Sequence, residues 1–131
     1  MADSKDVFSK LIVEEKETTK ELEKLVDQAI KIFRIEKPSG RIIFQEFGKL
    51  KDKQRICAIL VAKYFATKMK IIDASTLSIS EIAKELGRPM TTLSGPIREL
   101  VKQGYVEALP GRKYTVAYHR LAEIFETVLS S

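Results

Sequence analysis

Basic side chains are the residues of this sequence that most clearly indicate a chemical role, and they are unevenly distributed along the chain. Residues 37–131 carry sixteen Lys and Arg against nine Asp and Glu, a net charge of +7, whereas residues 1–36 carry seven bases against nine acids. A basic body of this kind attracts polyanions, and nucleic acid is the first candidate. An ordinary lysine-rich surface is the competing interpretation, and charge alone leaves both open.

Groups that catalyse reactions or bind metals are scarce. His119 is the only histidine and Cys57 the only cysteine, which excludes an internal disulfide and argues against a metal site. The segment GRPMTTLSG, residues 87–95, lacks the lysine and the spacing of a phosphate-binding loop. No Ser, His and Asp set suggests acyl transfer, and the carboxylates are scattered on helix faces where lysines pair with them. We therefore expect no enzymatic activity, no cofactor and no metal, and no small-molecule ligand is evident.

The size and composition predict one globular domain with an appendage. The chain has 131 residues, of which 44% are hydrophobic. No apolar run approaches the roughly 18 residues that cross a bilayer, and the N-terminus lacks an apolar signal core. These features predict a cytoplasmic protein without membrane contact. The absence of asparagine, with abundant Lys and Glu, favours a thermophilic source.

Residues 5–33 are predicted to form an amphipathic helix. Leu22, Val26, Ala29 and Phe33 follow one another at spacings of four, three and four, which places them on one face. The preceding segment EEKETTKE has no apolar face, and two interpretations stay open: the first residues pair with another chain, or the helix packs on its own domain. We accordingly divide the chain into an N-terminal arm, residues 1–36, which is a candidate for oligomerisation, and a main domain, residues 37–131.

The first half of the main domain is predicted to contain a hairpin and a core helix. Pro38 and Gly40 favour a turn, so residues of about 35–45 form a β-hairpin. Residues 52–69 form a helix with Asp52 as its N-cap and an inward face that contains Cys57 as a small buried hydrophobe. A short strand follows at residues 77–79. The inward residues of the helix are Ile56, Ile59 and Leu60.

The second half is predicted to contain a helix pair, a hairpin and a terminal helix. Ser80 caps a helix that Gly87 ends, and a second helix runs over residues 90–103 until Gly104. A hairpin follows at residues 105–116 with its turn at Pro110 and Gly111. An amphipathic helix closes the chain at residues 118–130. The predicted core positions are Ile82, Ala83, Leu86, Leu93, Ile97, Leu100, Val101, Leu121, Ile124, Phe125 and Val128.

This order of elements, over residues 52–118, resembles the winged helix-turn-helix family of DNA-binding proteins, in its prokaryotic and archaeal transcription-regulator type. In that family an alanine of the first helix is followed by a turn glycine four residues later and by an aliphatic residue six residues after that. Ala83, Gly87 and Leu93 match this pattern, and VEALPGRKYTV, residues 106–116, matches the wing. The resemblance implies a mainly α fold with small β-hairpins (α+β), namely a winged helix-turn-helix domain with an N-terminal helical extension and a C-terminal helix.

One residue departs from the family pattern. Pro96 stands inside the second helix, where the family usually has a branched apolar residue, and it follows Gly95. Proline removes one backbone hydrogen bond and clashes with the preceding turn. The departure predicts a second helix that is bent or that begins later than residue 90.

The resemblance implies that the protein binds double-stranded DNA. The second helix would enter the major groove, and the wing would contact the minor groove or its flanking phosphates. By position, the residues implied for contacts from the helix pair are Arg88, Thr91, Thr92, Ser94 and Arg98, and those from the wing are Arg112 and Lys113. Further phosphate contacts are expected from Lys49, Lys51, Lys53 and Arg55, which lead into the core helix.

A single winged module reads only a short half-site, so the resemblance also implies a homodimer that regulates transcription. The dimer interface would use the N-terminal helix, the terminal helix, or both. The rival interpretation is a winged-helix protein-interaction module of a larger assembly, without nucleic-acid contact. In that case the hairpin at 35–44 or the terminal helix would bind a protein. RNA binding is a third option, although the sequence indicates no aromatic stacking platform.

Overall fold

A computed structural model describes residues 15–45 and 50–129 of the chain, which form an α+β structure with five α-helices and two small antiparallel sheets. A short 3₁₀ turn, Tyr118–Arg120, precedes the last helix. The helices are α1 (Glu15–Ile30), α2 (Asp52–Lys68), α3 (Ile79–Leu86), α4 (Met90–Gln103) and α5 (Leu121–Thr127). The strands are β1 (Phe33–Ile35), β2 (Ile42–Phe44), β3 (Leu77–Ser78), β4 (Val106–Leu109) and β5 (Lys113–Val116).

Helix α2 is the centre of the core. Its three predicted inward residues are fully buried, and so is Cys57, whose pKa burial raises to about 12 because the thiolate would lose its hydration. The predicted N-cap is wrong by one position: Lys51 has the extended cap conformation, and Asp52 is the first helical residue. The Gln54 side chain accepts a hydrogen bond from the Lys51 N–H at 2.9 Å, which leaves the Asp52 carboxylate for ion pairs.

Helix α3 begins two residues earlier than predicted, because Ser78 rather than Ser80 is its N-cap. The Ser78 hydroxyl accepts from the Glu81 N–H at 3.2 Å, and a Glu81 carboxylate oxygen accepts from the Ser78 N–H at 3.0 Å. This reciprocal capping box satisfies two unpaired backbone donors. The hydrogen bonds from Ser78 lower the pKa of Glu81 because they favour the charged carboxylate.

A tight turn joins α3 to α4. Gly87 has φ of +65°, and its N–H and that of Arg88 both donate to the Ala83 carbonyl. Helix α4 begins at Met90, as the periodicity predicts, and continues without a break through Pro96. The expectation of a later start is therefore wrong, since buried side chains on both sides of the proline secure the helix against the core. Those residues are Leu93, Ile97 and Leu100, with Val101 half-buried.

The second sheet has the strand order β3-β5-β4, with both pairs antiparallel. Val106 stands opposite Val116 and Leu109 opposite Lys113, so β4 and β5 form the predicted hairpin. Its turn contains Gly111 at φ of +82° and Arg112 at φ of +58°. The short β3 joins this hairpin to the start of α3.

The first sheet is the predicted hairpin, which begins two residues earlier than expected. Phe33 pairs with Phe44, and Gly40 takes φ of +75° in the turn. Phe33 is thus a strand residue and does not extend the face of α1. Ala29 and Phe33 are buried, but Val26 is 40% exposed, so the predicted apolar face is only partly covered. Residues 5–14 of the predicted helix lie outside the described residues, and the boundary at 36/37 falls in the turn of this hairpin.

The C-terminal segment begins as the 3₁₀ turn and becomes helical only over α5, a shorter helix than the predicted 118–130. All four of its predicted core residues are buried, and α5 packs against α1. No helix in residues 15–45 and 50–129 is long and apolar enough to cross a bilayer.

Candidate nucleic-acid interface

The outward face of α4 is polar and continuous. Leu93, Ile97 and Leu100 point into the core, and the opposite side of a helix with about 3.6 residues per turn then carries positions 91, 95, 98 and 102. All four of these residues are exposed. The stripe therefore consists of Thr91, Gly95, Arg98 and Lys102. Lys102 was missed in the sequence analysis, although its spacing of four from Arg98 is a visible signal.

Glycine in the middle of this stripe leaves the backbone open to an approaching molecule. A Cβ built on Gly95 would meet no atom within 4 Å other than those of its chain neighbours and of the helix backbone itself, but the neighbouring Pro96 ring disfavours a Cβ on the helical residue before it. Glycine in a helix interior costs roughly 1 kcal/mol relative to alanine. Glycine before Pro96 avoids the clash of a Cβ with the proline ring, and it also leaves the backbone open to an approaching molecule.

The second hairpin lies beside the middle of α4. A crevice of about 200 Å³ separates the two elements, and its walls include Ser94 and Arg98 from α4 and Ala108 and Tyr114 from the hairpin. The Ser94 hydroxyl donates to the Thr91 carbonyl at 3.2 Å and keeps its oxygen lone pairs for an external donor. Ser94 and Arg98 of the helix thus lie beside Tyr114 of the hairpin at this crevice.

The hairpin tip carries two exposed cations. Arg112 lies in the turn and Lys113 is the first residue of β5, opposite Ser78 and Leu109 in the sheet. The Lys113 ammonium is close enough to Glu81 to contribute, as a minor cause, to the lowered pKa of that carboxyl. The tip is consequently the most basic part of the sheet.

The four bases of this region have no ion-pair partner among the described residues. They are Arg98, Lys102, Arg112 and Lys113, and with Thr91 and Ser94 they define what we call the α4–hairpin surface. Three bases elsewhere are neutralised by nearby carboxylates: Lys63 binds Glu85 at 2.8 Å, Lys53 binds Glu99 at 3.0 Å and Arg120 binds Glu123 at 2.8 Å. The α4–hairpin surface therefore keeps an uncompensated positive charge.

Other predicted contact residues are engaged within the protein. Arg88 is exposed, but its Nε lies 3.4 Å from Asp52, which links the α3–α4 turn to the start of α2. Asp52 also lies 3.5 Å from Arg55. Arg55 is only 6% exposed, so its expected phosphate contact is wrong. A charged residue is buried there because it pairs with Asp52.

The remaining predicted contacts have mixed outcomes. Thr92 is exposed, on the same flank of α4 as Glu99 and outside the central stripe. Lys53 on α2 forms an ion pair with Glu99 on α4. Lys51 is exposed and forms no ion pair within the described part of the chain. Lys49 lies outside the described residues.

A cluster around Arg120 holds the C-terminal end of α4. The Arg120 guanidinium donates to the Gln103 carbonyl at 2.8 Å, binds Glu123 and lies 4.5 Å from the centre of the Tyr105 ring. The hydrogen bonds from Arg120 lower the pKa of Glu123, and in return raise the pKa of Arg120. The guanidinium also fills the space where a side chain at position 104 would stand. Sequence analysis missed this cluster, although the i, i+3 spacing of Arg120 and Glu123 is a signal for a pair.

An aromatic pair lies on a different part of the surface. The rings of Tyr64 and Tyr118 stack with centroids 5.6 Å apart and planes 4° from parallel, and Tyr118 is 60% exposed. His119 packs edge-on against Tyr118, and its Nδ1 lies 4.0 Å from Glu107. This pair could not be inferred from the sequence, because Tyr64 and Tyr118 are distant in the chain.

No group of three His, Cys, Asp or Glu that could hold a metal ion occurs within residues 15–45 and 50–129. Comparisons with known proteins add no relative: no family model, no curated protein and no solved structure matches this chain. The geometry of the α4–hairpin surface is therefore the basis on which a function is argued.

Proposed function

We propose that the protein is a winged helix-turn-helix module that binds double-stranded DNA and acts as a cytoplasmic, homodimeric transcription regulator. The observation that carries the proposal is the α4–hairpin surface, where four bases without ion pairs stand on a helix and an adjacent hairpin tip. Such a surface neutralises phosphates and releases the counterions around them, which favours binding.

In the proposed complex α4 lies in the major groove. Arg98 stands at the centre of the outward stripe, where its guanidinium can donate two parallel hydrogen bonds to a guanine edge or to a phosphate. The Thr91 hydroxyl donates to a phosphate at the N-terminal half of the helix, and the Ser94 oxygen accepts from a base-edge amino group. The open backbone at Gly95 lets the helix approach the groove closely.

The hairpin supplies the second contact. Arg112 and Lys113 extend from a two-stranded ribbon beside α4, as a wing that reaches the minor groove or its flanking phosphates would require. The order α3, turn, α4, hairpin and the short β3 that joins the sheet support the winged-helix arrangement. The Arg120 cluster and the Arg88–Asp52 pair hold both ends of α4, so that helix and wing keep a fixed geometry.

A second candidate function is a protein-interaction module. It is favoured by one observation, an exposed apolar groove formed by α1, the first hairpin and the end of α2. This surface contains Ile35, which belongs to the hairpin that the rival interpretation expects to bind a protein.

The deciding experiment measures binding to random-sequence duplex DNA by fluorescence anisotropy at several salt concentrations. The wild type is compared with the triple variant Arg98→Ala, Arg112→Ala, Lys113→Ala. The matched control removes three exposed lysines from elsewhere on the surface, Lys24→Ala, Lys37→Ala, Lys70→Ala, and so changes the net charge equally.

The proposal predicts salt-dependent binding by the wild type. The slope of log K against log salt concentration falls by about three in the α4–hairpin variant, because each lost phosphate contact removes about one unit. The control keeps the wild-type slope within about one unit. Absence of binding at low salt by the folded wild type, or equal losses in both variants, would contradict the proposal.

A further inference from the structure

An apolar groove remains open to solvent on the side of the molecule formed by α1, the first hairpin and the end of α2. Its volume is about 340 Å³. Val26, Ile30 and Met69 are 40%, 37% and 51% exposed, which is unusual for a cluster of large hydrophobic residues. We call this surface the α1 groove, and its apolar lining consists of Val26, Ile30, Phe33, Ile35, Phe65 and Met69.

The sequence contains one apolar segment that is available to cover the groove. Residues 7–13, VFSKLIV, lie outside the described residues and directly precede α1. Phe8 precedes Val26, and Ile12 precedes Ile30, by eighteen residues. Eighteen residues make about five helical turns. A helix continued from α1 would therefore carry Phe8 and Ile12 on the side that carries Val26 and Ile30.

A continued helix cannot cover its own groove. Ile12 precedes Val26 by fourteen residues, which is about 21 Å at a rise of about 1.5 Å per residue. A second copy that runs antiparallel removes this difficulty. If the two helices cross at Thr19, midway between residues 8 and 30, Phe8 of the second copy comes beside Ile30 and Ile12 comes beside Val26. The two-fold symmetry covers both grooves at once, as an isologous dimer requires.

We propose that the α1 groove binds residues 7–13 of a second copy of this chain, in an antiparallel two-fold pairing of the two N-terminal arms. The inference extends the dimeric form in the proposed function by naming its interface. It rests on the groove and the arm alone, and its test is performed without DNA. A failure of this test is therefore distinguishable from a failure of DNA binding.

The experiment is disulfide cross-linking between two separately purified full-length variants, Phe8→Cys and Ile30→Cys. The native Cys57 stays in place, because it is buried and its pKa is raised to about 12. The control mixture combines Phe8→Cys with Met90→Cys, which places a thiol at an exposed site at the start of α4. After mild oxidation we expect a reducible two-chain species from the first mixture and only background from the control.

Two further measurements decide between the occupants of the groove. The double variant Phe8→Cys, Ile30→Cys is oxidised at low concentration, where a bond within one chain would show that the arm covers its own groove. Sedimentation equilibrium compares the wild type with Ile30→Lys and with Gln28→Lys, an exposed control on α1. We expect dimerisation to weaken about tenfold or more for Ile30→Lys and to change little for Gln28→Lys.

A wild-type monomer at all concentrations would overturn the inference. So would cross-linking equal to the Met90 control, or a disulfide that forms only within one chain. The two exposed positions on α1 tolerate substitution without loss of the core, and circular dichroism of each variant verifies that it is folded.

Discussion

The α4–hairpin surface and the α1 groove are two exposed regions in the described part of the chain, and they differ in polarity and in charge. The first is polar and cationic, and it includes α4, whose opposite face is buried at Leu93, Ile97 and Leu100. The second is apolar, and its helix buries Ala29 while leaving Val26 and Ile30 in solvent. A rigid charged surface suits a polyanion, whereas an incompletely buried helix suits a partner that completes its packing.

The comparison also shows how differently the two helices depend on the rest of the fold. Helix α4 has both ends fixed, by the Arg88–Asp52 pair and by the Arg120 cluster. Helix α1 contacts α5 and β1, and one side remains open. We expect α4 to be equally stable in a monomer and a dimer, and α1 to gain from association.

The largest expected effect is a difference in stability between a substitution in the buried face of α4 and one in the α1 groove. Leu93→Ala removes a fully buried side chain from α4 and should lower the free energy of unfolding by about 2–5 kcal/mol. Val26→Ala on α1 should change it by about 0.5 kcal/mol or less in dilute protein, and by more at concentrations where copies associate. Urea unfolding at two protein concentrations measures both variants. Equal, concentration-independent losses would show that the groove is part of the monomer core.

The next effect tests whether the α4–hairpin surface contacts DNA at Gly95. Gly95→Ala gains the helix preference of alanine, which is worth roughly 1 kcal/mol, but its Cβ crowds the Pro96 ring, so the free energy of unfolding should change by less than roughly 1 kcal/mol. The added methyl group would stand between α4 and the DNA, so duplex affinity should fall. Thermal unfolding and anisotropy are measured on the same preparation. Unchanged affinity in the folded variant would place the contact elsewhere on the surface.

The smallest effect concerns pH and the cluster that holds the end of α4. The pKa of Glu123 is lowered from its ordinary value of 4.5, so this carboxylate stabilises the fold above that value and loses the effect as the pH falls. Glu123→Gln should reduce the drop in melting temperature between about pH 5 and pH 3. Glu23→Gln, on the exposed side of α1, is the control and should leave the drop unchanged. The assignment fails if both variants keep the wild-type profile.

Much of the C-terminal half could be predicted from the sequence. The bounds of α4, the β4–β5 hairpin and the buried positions follow from apolar periodicity and from turn residues such as Gly87 and Gly104. The errors in the predicted helix starts are small shifts of one or two residues, at the starts of α2 and α3. Asp52 and Ser80 are reasonable caps by residue type, but neighbouring Lys51 and Ser78 have the cap conformation. The box formed by Ser78 and Glu81 was a readable signal.

The residues of the candidate site were predictable from the sequence, but which of its charges form ion pairs was not. The exposure of Thr91, Arg98 and Arg112 could be inferred from spacing, but ion pairing could not. Arg88 approaches Asp52 from another element, and Lys53 meets a residue forty-six positions away in the chain. Pairs of this kind depend on distances between elements, which periodicity does not contain.

By itself, the amino-acid sequence determined the type and order of the elements, because helices and hairpins follow from local periods, caps and turns. It also determined the excess of positive charge in residues 37–131. The tertiary structure alone decided which of those charges are neutralised, because ion pairs form between side chains that are distant in the chain. It likewise decided that Val26 and Ile30 stay exposed, since burial depends on what packs against a helix face and not on the face itself.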